Sequence, residues 1–187
     1  MASVTLITGG CRSGKSLYAQ ELACLYPQER RFIATAVAFD SEMGERIKKH
    51  RQERGGQFLT VEEPYNLASA IITAYRENPS VILIDCLTVW VGNLLYRYEN
   101  EPSSVEKSIN DFLSAIENPL CDLVIVTNEV GMGIVPDNAS ARYFRDCAGS
   151  LNRNTALRSG NVILCVCGIP VAIKGDCGVG RGESQKK

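Results

Sequence analysis

Short runs of aliphatic and β-branched residues alternate along the chain with stretches whose apolar side chains recur at helical spacing. Val4-Thr5-Leu6-Ile7 is the first β-prone run; Leu17, Ala19, Leu22, Ala23 and Leu25 follow at helical spacing until Pro27 stops the pattern. Residues 31–37 predict a second strand ending near Asp40, which is placed to cap a helix over residues 41–54. Met43, Ile47 and His50 share one face of that helix, and Gly55-Gly56 end it. Residues 57–61 predict a third strand that delivers Glu62 and Glu63, and Asn66 then caps a helix carrying Leu67, Ala70, Ile71 and Ala74. Residues 81–84 are apolar at every position, as a strand buried on both faces would be, and they end in Asp85. Residues 88–98 predict a helix with Trp90, Val91, Leu94 and Leu95 as its core stripe. Ser103 with Glu106 has capping-box spacing ahead of Ile109, Phe112, Leu113 and Ile116, and Pro119 closes that segment. Residues 123–126 form the fifth strand, with Thr127-Asn128-Glu129 at the carboxyl end, where open parallel sheets hold their ligands. The loop 131–136 leads into a helix over residues 139–158 with Phe144, Ala148 and Leu151 on its apolar side and Arg142, Arg145, Asp146 and Arg153 as polar candidates. Residues 162–166 are the last long strand, and residues 170–173 fold back as a short edge strand.

One stretch changes this from a pattern into chemistry. Gly9-Gly10-Cys11-Arg12-Ser13-Gly14-Lys15-Ser16 reads G-x-x-x-x-G-K-S between the first strand and the first helix. The glycines let successive N–H groups point at one anion, Lys15 neutralises phosphate charge, and the Ser16 hydroxyl is placed to ligate Mg2+. The helix beneath adds a favourable dipole. A Gly/Ser-rich turn explains the eight residues equally well in isolation; the strand before and the helix after favour the phosphate loop. Asp85, ending a buried strand in such a protein, is expected to hold Mg2+, directly or through water, opposite Ser16, the alternative being an ordinary helix N-cap or turn residue.

The 187 residues, 45% of them hydrophobic, suffice for one sizeable core, and a single domain over residues 1–174 with a flexible tail over 175–187 is expected. The alternation of strands and helices predicts an α/β fold of the P-loop NTPase type, RecA-like. Its mostly parallel sheet carries helices on both faces and a short antiparallel edge strand at the C-terminus. Net charge is −1, with both signs dispersed, so neither nucleic acid nor an anionic membrane is implied. The eight cysteines form no C-x-x-C pair and are expected to be mostly core thiols, with Cys165 and Cys167 on one face of a strand. No run approaches a membrane span and no leader pattern is present, so a cytoplasmic protein is expected.

Loop and fold leave a kinase, a switch GTPase and an ATPase motor in contention. The segments Thr8 through Ser16, Ile33-Ala34-Thr35, Glu42-Met43 with Arg46-Ile47 and His50-Arg51, Asp85-Cys86-Leu87-Thr88, and Thr127-Asn128-Glu129-Val130-Gly131-Met132-Gly133-Ile134-Val135-Pro136 narrow the choice. In order along the chain, they resemble the bifunctional adenosylcobinamide kinase/adenosylcobinamide-phosphate guanylyltransferase family of late cobalamin assembly. The resemblance implies phosphorylation of the aminopropanol hydroxyl of adenosylcobinamide by ATP or GTP, then GMP transfer from GTP to adenosylcobinamide phosphate through a GMP-histidine intermediate. The position of that intermediate matches His50. The resemblance further implies that nucleotide is held by residues 9–16, by Thr35, Ala36 and Val37, by Arg51, Gln52, Glu53 and Arg54, and by Glu62 and Asp85, in a homotrimer whose subunits meet around these sites. Two departures from the family pattern stand out: Cys11, where relatives often have alanine, and Leu151-Asn152-Arg153-Asn154 in place of the usual L-N-Q run.

His50 is the only histidine in the chain. A lone histidine on an apolar helix face is ordinarily structural. Here Arg46, Lys48, Lys49, Arg51 and Arg54 would disfavour the protonated ring, keeping it nucleophilic, and would attract a triphosphate, although the same charges also suit a solvated face. Two alternatives remain: a small-molecule or nucleotide kinase without nucleotidyl transfer, and a nucleotide-dependent binding or switch module. The switch would need a guanine-reading N-K-x-D run, and Asn128 is followed instead by Glu129. A nucleic-acid motor lacks its basic stripe with interleaved aromatics.

Overall fold

Seven strands pair into one sheet in the order β3-β2-β4-β5-β1-β6-β7, in a computed structural model that describes residues 2–37, 44–45, 55–99 and 101–177. They are β1 (Val4–Gly9), β2 (Arg30–Ala34), β3 (Leu59–Glu62), β4 (Val81–Asp85), β5 (Asp122–Val126), β6 (Asn161–Val166) and β7 (Ile169–Lys174). All pairings are parallel except β6 with β7, so the predicted antiparallel edge is present. The described helices are α1 (Lys15–Cys24), α2 (Leu67–Tyr75), α3 (Leu87–Arg97), α4 (Pro102–Ala115) and α5 (Ala139–Arg158).

Successive residues of a strand face opposite sides, and both sides of this sheet are covered. Leu6, Ile33, Ile82, Ile84, Leu123 and Ile125 pack against α2 to α5, where Trp90 and Phe112 meet at 5.3 Å between ring centroids. Ile7, Phe32, Val81, Leu83, Val124, Val126 and Ile163 face the other way, onto Tyr18, Ala19, Leu22 and Ala23 of α1. That double burial is why residues 81–84 read as a continuous apolar run.

Local rules settle where the structure departs from the sequence expectations. Because α1 begins at Lys15, the positions facing the sheet are Lys15, Tyr18, Ala19, Leu22 and Ala23; Leu17 and Leu25 are each 64% exposed. The capping box of Ser103 and Glu106 does not form. Pro102 occupies the first helical turn and fixes the start of α4 two residues earlier, with Glu101 as N-cap and Ser104 Oγ donating to its carboxylate at 2.9 Å. Asn66 and Asn138 cap α2 and α5 by accepting from Ser69 N at 3.1 Å and Ala141 N at 3.0 Å. Of the helix expected over residues 41–54, only Gly44 and Glu45 are described, both helical, and Gly55–Gln57 is a 3-10 turn.

The cysteines are less buried than expected: Cys86 and Cys165 are core thiols, Cys11 and Cys167 are exposed, and Cys24, Cys121, Cys147 and Cys177 are half-buried. Cys167 does not share a strand face with Cys165. It lies in the β6–β7 turn with φ 51°, where the chain reverses. Beyond β7, Asp176 N donates to Asn161 Oδ1 at 3.2 Å, and Tyr18 Oη donates to the Cys177 carbonyl.

Candidate active site

The carboxyl ends of β1, β4 and β5 converge beside α1, at the point where the chain, having built one side of the sheet, crosses to the other. β1 ends in Gly9 and the chain turns through Gly10–Gly14 into α1. Arg12 and Gly14 take left-handed backbone, φ 55° and 87°, which curls the loop amides toward a common point. Gly14 also lies so close to the β6–β7 turn that a Cβ there would stand 3.1 Å from Gly168 Cα, and Gly168 N donates to Ser13 O at 3.0 Å. At Gly9 a Cβ would fall 2.5 Å from the Cys165 carbonyl.

Lys15 is 8% exposed, and its Nζ donates to Gly10 O at 3.1 Å. A buried ammonium ion against a neutral carbonyl strongly favours an incoming anion. The hydroxyls of Thr8 and Ser13 are buried beside it without hydrogen-bond partners, a cost that a polar ligand could offset. Together with the unpaired first amides of α1, these groups form a cradle for phosphate.

Asp85 ends β4 and is half-buried; the cap of α3 is Cys86, so the ordinary-cap reading of Asp85 does not hold. Burial pushes the Cys86 thiol up to about 12. The Asp85 charge acts in the same direction and the Lys15 charge opposes it, so both charges lie within reach of one buried point. Ser16, in the first turn of α1, and Asp85 supply hard oxygen donors, the donor chemistry that suits Mg2+. Thr35, fully buried after β2, clamps the end of β4: its Oγ1 accepts from Cys86 N and donates to Cys86 O, both at 2.8 Å. Asn93 Nδ2 in turn donates to Thr35 O at 2.7 Å.

The end of β5 is held by a closed ring of bonds. Asn128 N donates to Thr88 Oγ1 (2.6 Å), and Thr127 Oγ1 donates to Asn152 Oδ1 (2.7 Å). Thr127 has thereby given up its only proton, so across the 3.1 Å contact Thr88 is the donor and Thr127 the acceptor. Asn152 Nδ2 closes the ring by donating to Asn128 O at 3.0 Å. The β1–β5 ladder runs on past the strands, with Thr127 N donating to Ile7 O at 2.9 Å and Glu129 N to Gly9 O at 3.0 Å. Arg145 Nη2 donates to Gly131 O at 2.9 Å, and Arg142 Nη1 donates to the carbonyls of Pro136 and Asp137, so these two arginines shape the loop after β5.

The structure therefore gathers Gly9–Ser16, Thr35 and Asp85, with Ala36 and Val37 following Thr35 at half-buried positions. Glu62 stands apart. The register row Glu62, Ala34, Asp85, Val126, Ile7 puts it four strands from β1, about 19 Å at the usual strand spacing, and it is exposed. His50, Arg51, Gln52, Glu53 and Arg54 lie outside the described residues. No site role was read from Thr88, Asn93 and Asn152; the signal was a hydroxyl in the first turn of α3 and, for Asn93 and Asn152, an amide on the buried side of an otherwise apolar helix stripe. Arg153, considered instead of Asn152, is exposed.

The chain matches the family described as cobinamide kinase / cobinamide phosphate guanyltransferase over residues 5–173. It is 41% identical to the bifunctional adenosylcobalamin biosynthesis protein CobU of Salmonella typhimurium across 180 residues, covering 90% of this chain and 98% of that protein. It is 38% identical to the bifunctional adenosylcobalamin biosynthesis protein CobP of Pseudomonas aeruginosa across 171 residues, covering 91% and 97%. Among solved structures, the P4 protein from bacteriophage phi6 in complex with ADP superposes with a TM-score of 0.47 at 16% identity, over 90% of this chain and 52% of that one. A phosphate loop, an acidic strand end and a match that runs from β1 to β7 converge on one conclusion: the chain belongs to the cobinamide kinase / cobinamide phosphate guanyltransferase family of bifunctional enzymes.

Proposed function

We propose that this chain phosphorylates adenosylcobinamide with ATP or GTP and then transfers GMP from GTP to the resulting phosphate, giving adenosylcobinamide-GDP and pyrophosphate. The observation that carries the reading is the family match over residues 5–173, which takes in the whole phosphate loop and every strand. In the kinase step the loop amides and Lys15 hold the β and γ phosphates while the substrate alcohol attacks the γ-phosphorus; positioning and charge stabilisation do most of the work. Ser16 and Asp85 would hold Mg2+, which when bound neutralises charge developing on the phosphate oxygens. In the transfer step His50 attacks the α-phosphorus of GTP, pyrophosphate leaves, and the cobinamide phosphate displaces GMP from the ring. Arg51, Gln52, Glu53, Arg54 and Glu62 would serve the guanine nucleotide.

A homotrimer in the cytoplasm completes the proposal. Met132, Ile134 and Val135, in the loop after β5, are 80%, 95% and 62% exposed, and subunits meeting around the sites would cover them.

The test is to incubate the protein with Mg2+ and GTP labelled at the α-phosphate, denature it, and look for label that acid releases and alkali does not, the stability of a phosphoramidate. The His50→Asn variant is expected to lose that label and the transferase activity while keeping kinase activity. Loss of both activities together would contradict the division of roles, and a wild-type protein that binds GTP but takes up no label would leave a kinase without nucleotidyl transfer.

A further inference from the structure

We infer that Glu129 is the general base of the kinase step, the group that takes the proton from the attacking alcohol; this rests on the proposed function above. Four carboxylates end or follow strands at this edge of the sheet among the described residues: Glu62, Glu63, Asp85 and Glu129. Glu63 is committed elsewhere, its Oε1 accepting from Tyr65 N at 2.9 Å and Asn66 N at 2.8 Å at the start of α2. Glu62 lies four strands from the phosphate loop and Asp85 two, on the side where Ser16 and Asp85 suit a cation. Glu129 alone follows the strand next to β1, with its own N–H bonded to the carbonyl of Gly9, the first residue of the loop.

Its carboxylate is held as a base should be. Oε1 accepts from Gly131 N at 3.1 Å, which leaves Oε2 and the remaining lone pairs for a substrate hydroxyl. A Cβ at Gly131 would come within 3.0 Å of Oε1, so the glycine leaves room for the carboxylate where it sits. The backbone that carries it is immobilised on one side by the Thr88–Thr127–Asn152–Asn128 ring and on the other by Arg145 on the Gly131 carbonyl. The product of these bonds is one carboxylate held in its own turn, on a backbone bonded directly to the first residue of the phosphate loop. As the alcohol oxygen bonds to the γ-phosphorus, the bond to the β–γ bridging oxygen breaks and the nucleoside diphosphate departs. The alcohol proton passes to Glu129 and from there to solvent.

The two half-reactions separate the possible outcomes. Glu129→Gln is expected to lower the kinase kcat by about 10²- to 10⁴-fold, with the KM for ATP changed less than about threefold. With α-labelled GTP it should still form the acid-labile adduct and guanylylate adenosylcobinamide phosphate supplied ready-made, which also reports a folded protein. Glu129→Asp, with a shorter carboxylate, should recover part of the kinase rate. Kinase activity near wild type in Glu129→Gln overturns the assignment. A parallel loss of kinase and adduct with a raised nucleotide KM overturns it as well, because Glu129 would then serve nucleotide binding common to both steps. A wild-type protein that forms the adduct but phosphorylates no cobinamide defeats the kinase reading itself, whatever the variant does.

Discussion

Asn152 lies 25 residues beyond Thr127 in sequence, yet its amide decides where the end of β5 points. Its oxygen takes the Thr127 proton and its nitrogen serves the Asn128 carbonyl, and the side chain is only 9% exposed, so water cannot readily replace either bond. Asn152→Leu keeps the branching of the side chain, though with bulkier methyl ends, and strands both partners. Each stranded group costs about 1–3 kcal/mol, and the expected result is a lower urea midpoint with an unchanged m-value. Asn152→Asp, which keeps an acceptor for Thr127 and loses the donor for Asn128, should lose less. Such residues were the least legible in the sequence. An asparagine beside Leu151 in an amphipathic helix looks like a boundary residue, and its worth appears only when the partner strand is in place. Lys15 and Asp85, by contrast, were legible because their spacing from strand ends carries the chemistry directly.

Most strands and helices were legible because local chemistry marks them: Asn66 caps α2 as expected, and residues 81–84 are too uniformly apolar to be anything but a central strand, whereas the start of α4 was misplaced because Pro102 was read as part of the preceding turn. What local pattern could not supply was the face of α1, which depends on where the loop releases the chain, and the closeness of the β6–β7 turn to the loop. That closeness makes Gly14→Ala informative. The substitution puts a side chain on left-handed backbone, at about 1–2 kcal/mol, and presses a Cβ to 3.1 Å from Gly168 Cα. If the strain falls on the cradle, the KM for nucleotide should rise about tenfold, at 1.4 kcal/mol per decade. It should rise alike in the kinase and the guanylyl-transfer assays, since both would use the one loop. A rise in only one assay would mean that the two reactions hold their phosphates differently.

Across the whole molecule, stability should fade on the alkaline side. Burial raises the Tyr75 hydroxyl from its usual 10.0 to about 12, and the nearby Cys121 charge adds to the effect. Burial likewise raises the Cys121 thiol from 9.0 to about 11, with Asp122 adding to it. The folded protein therefore keeps protons that the unfolded chain releases, and it binds more protons than the unfolded chain above pH 9. The contribution is complete below pH 9 and is lost as pH climbs through 11 and 12. Urea midpoints measured at pH 8, 9.5 and 10.5 should fall in that order, and Tyr75→Phe should flatten the decline. The order in which the chain is made has a consequence too. β1 is wedged between β5 and β6, Gly160 N donates to Val4 O at 2.9 Å, and Gly168 reaches back to Ser13. β1 is made before the other six strands of the sheet, yet it is thus among the last to be flanked on both sides. A nascent chain that has emerged only as far as α5 lacks the turn that braces its own phosphate loop, so the loop takes its full support only once the β6–β7 hairpin has been made.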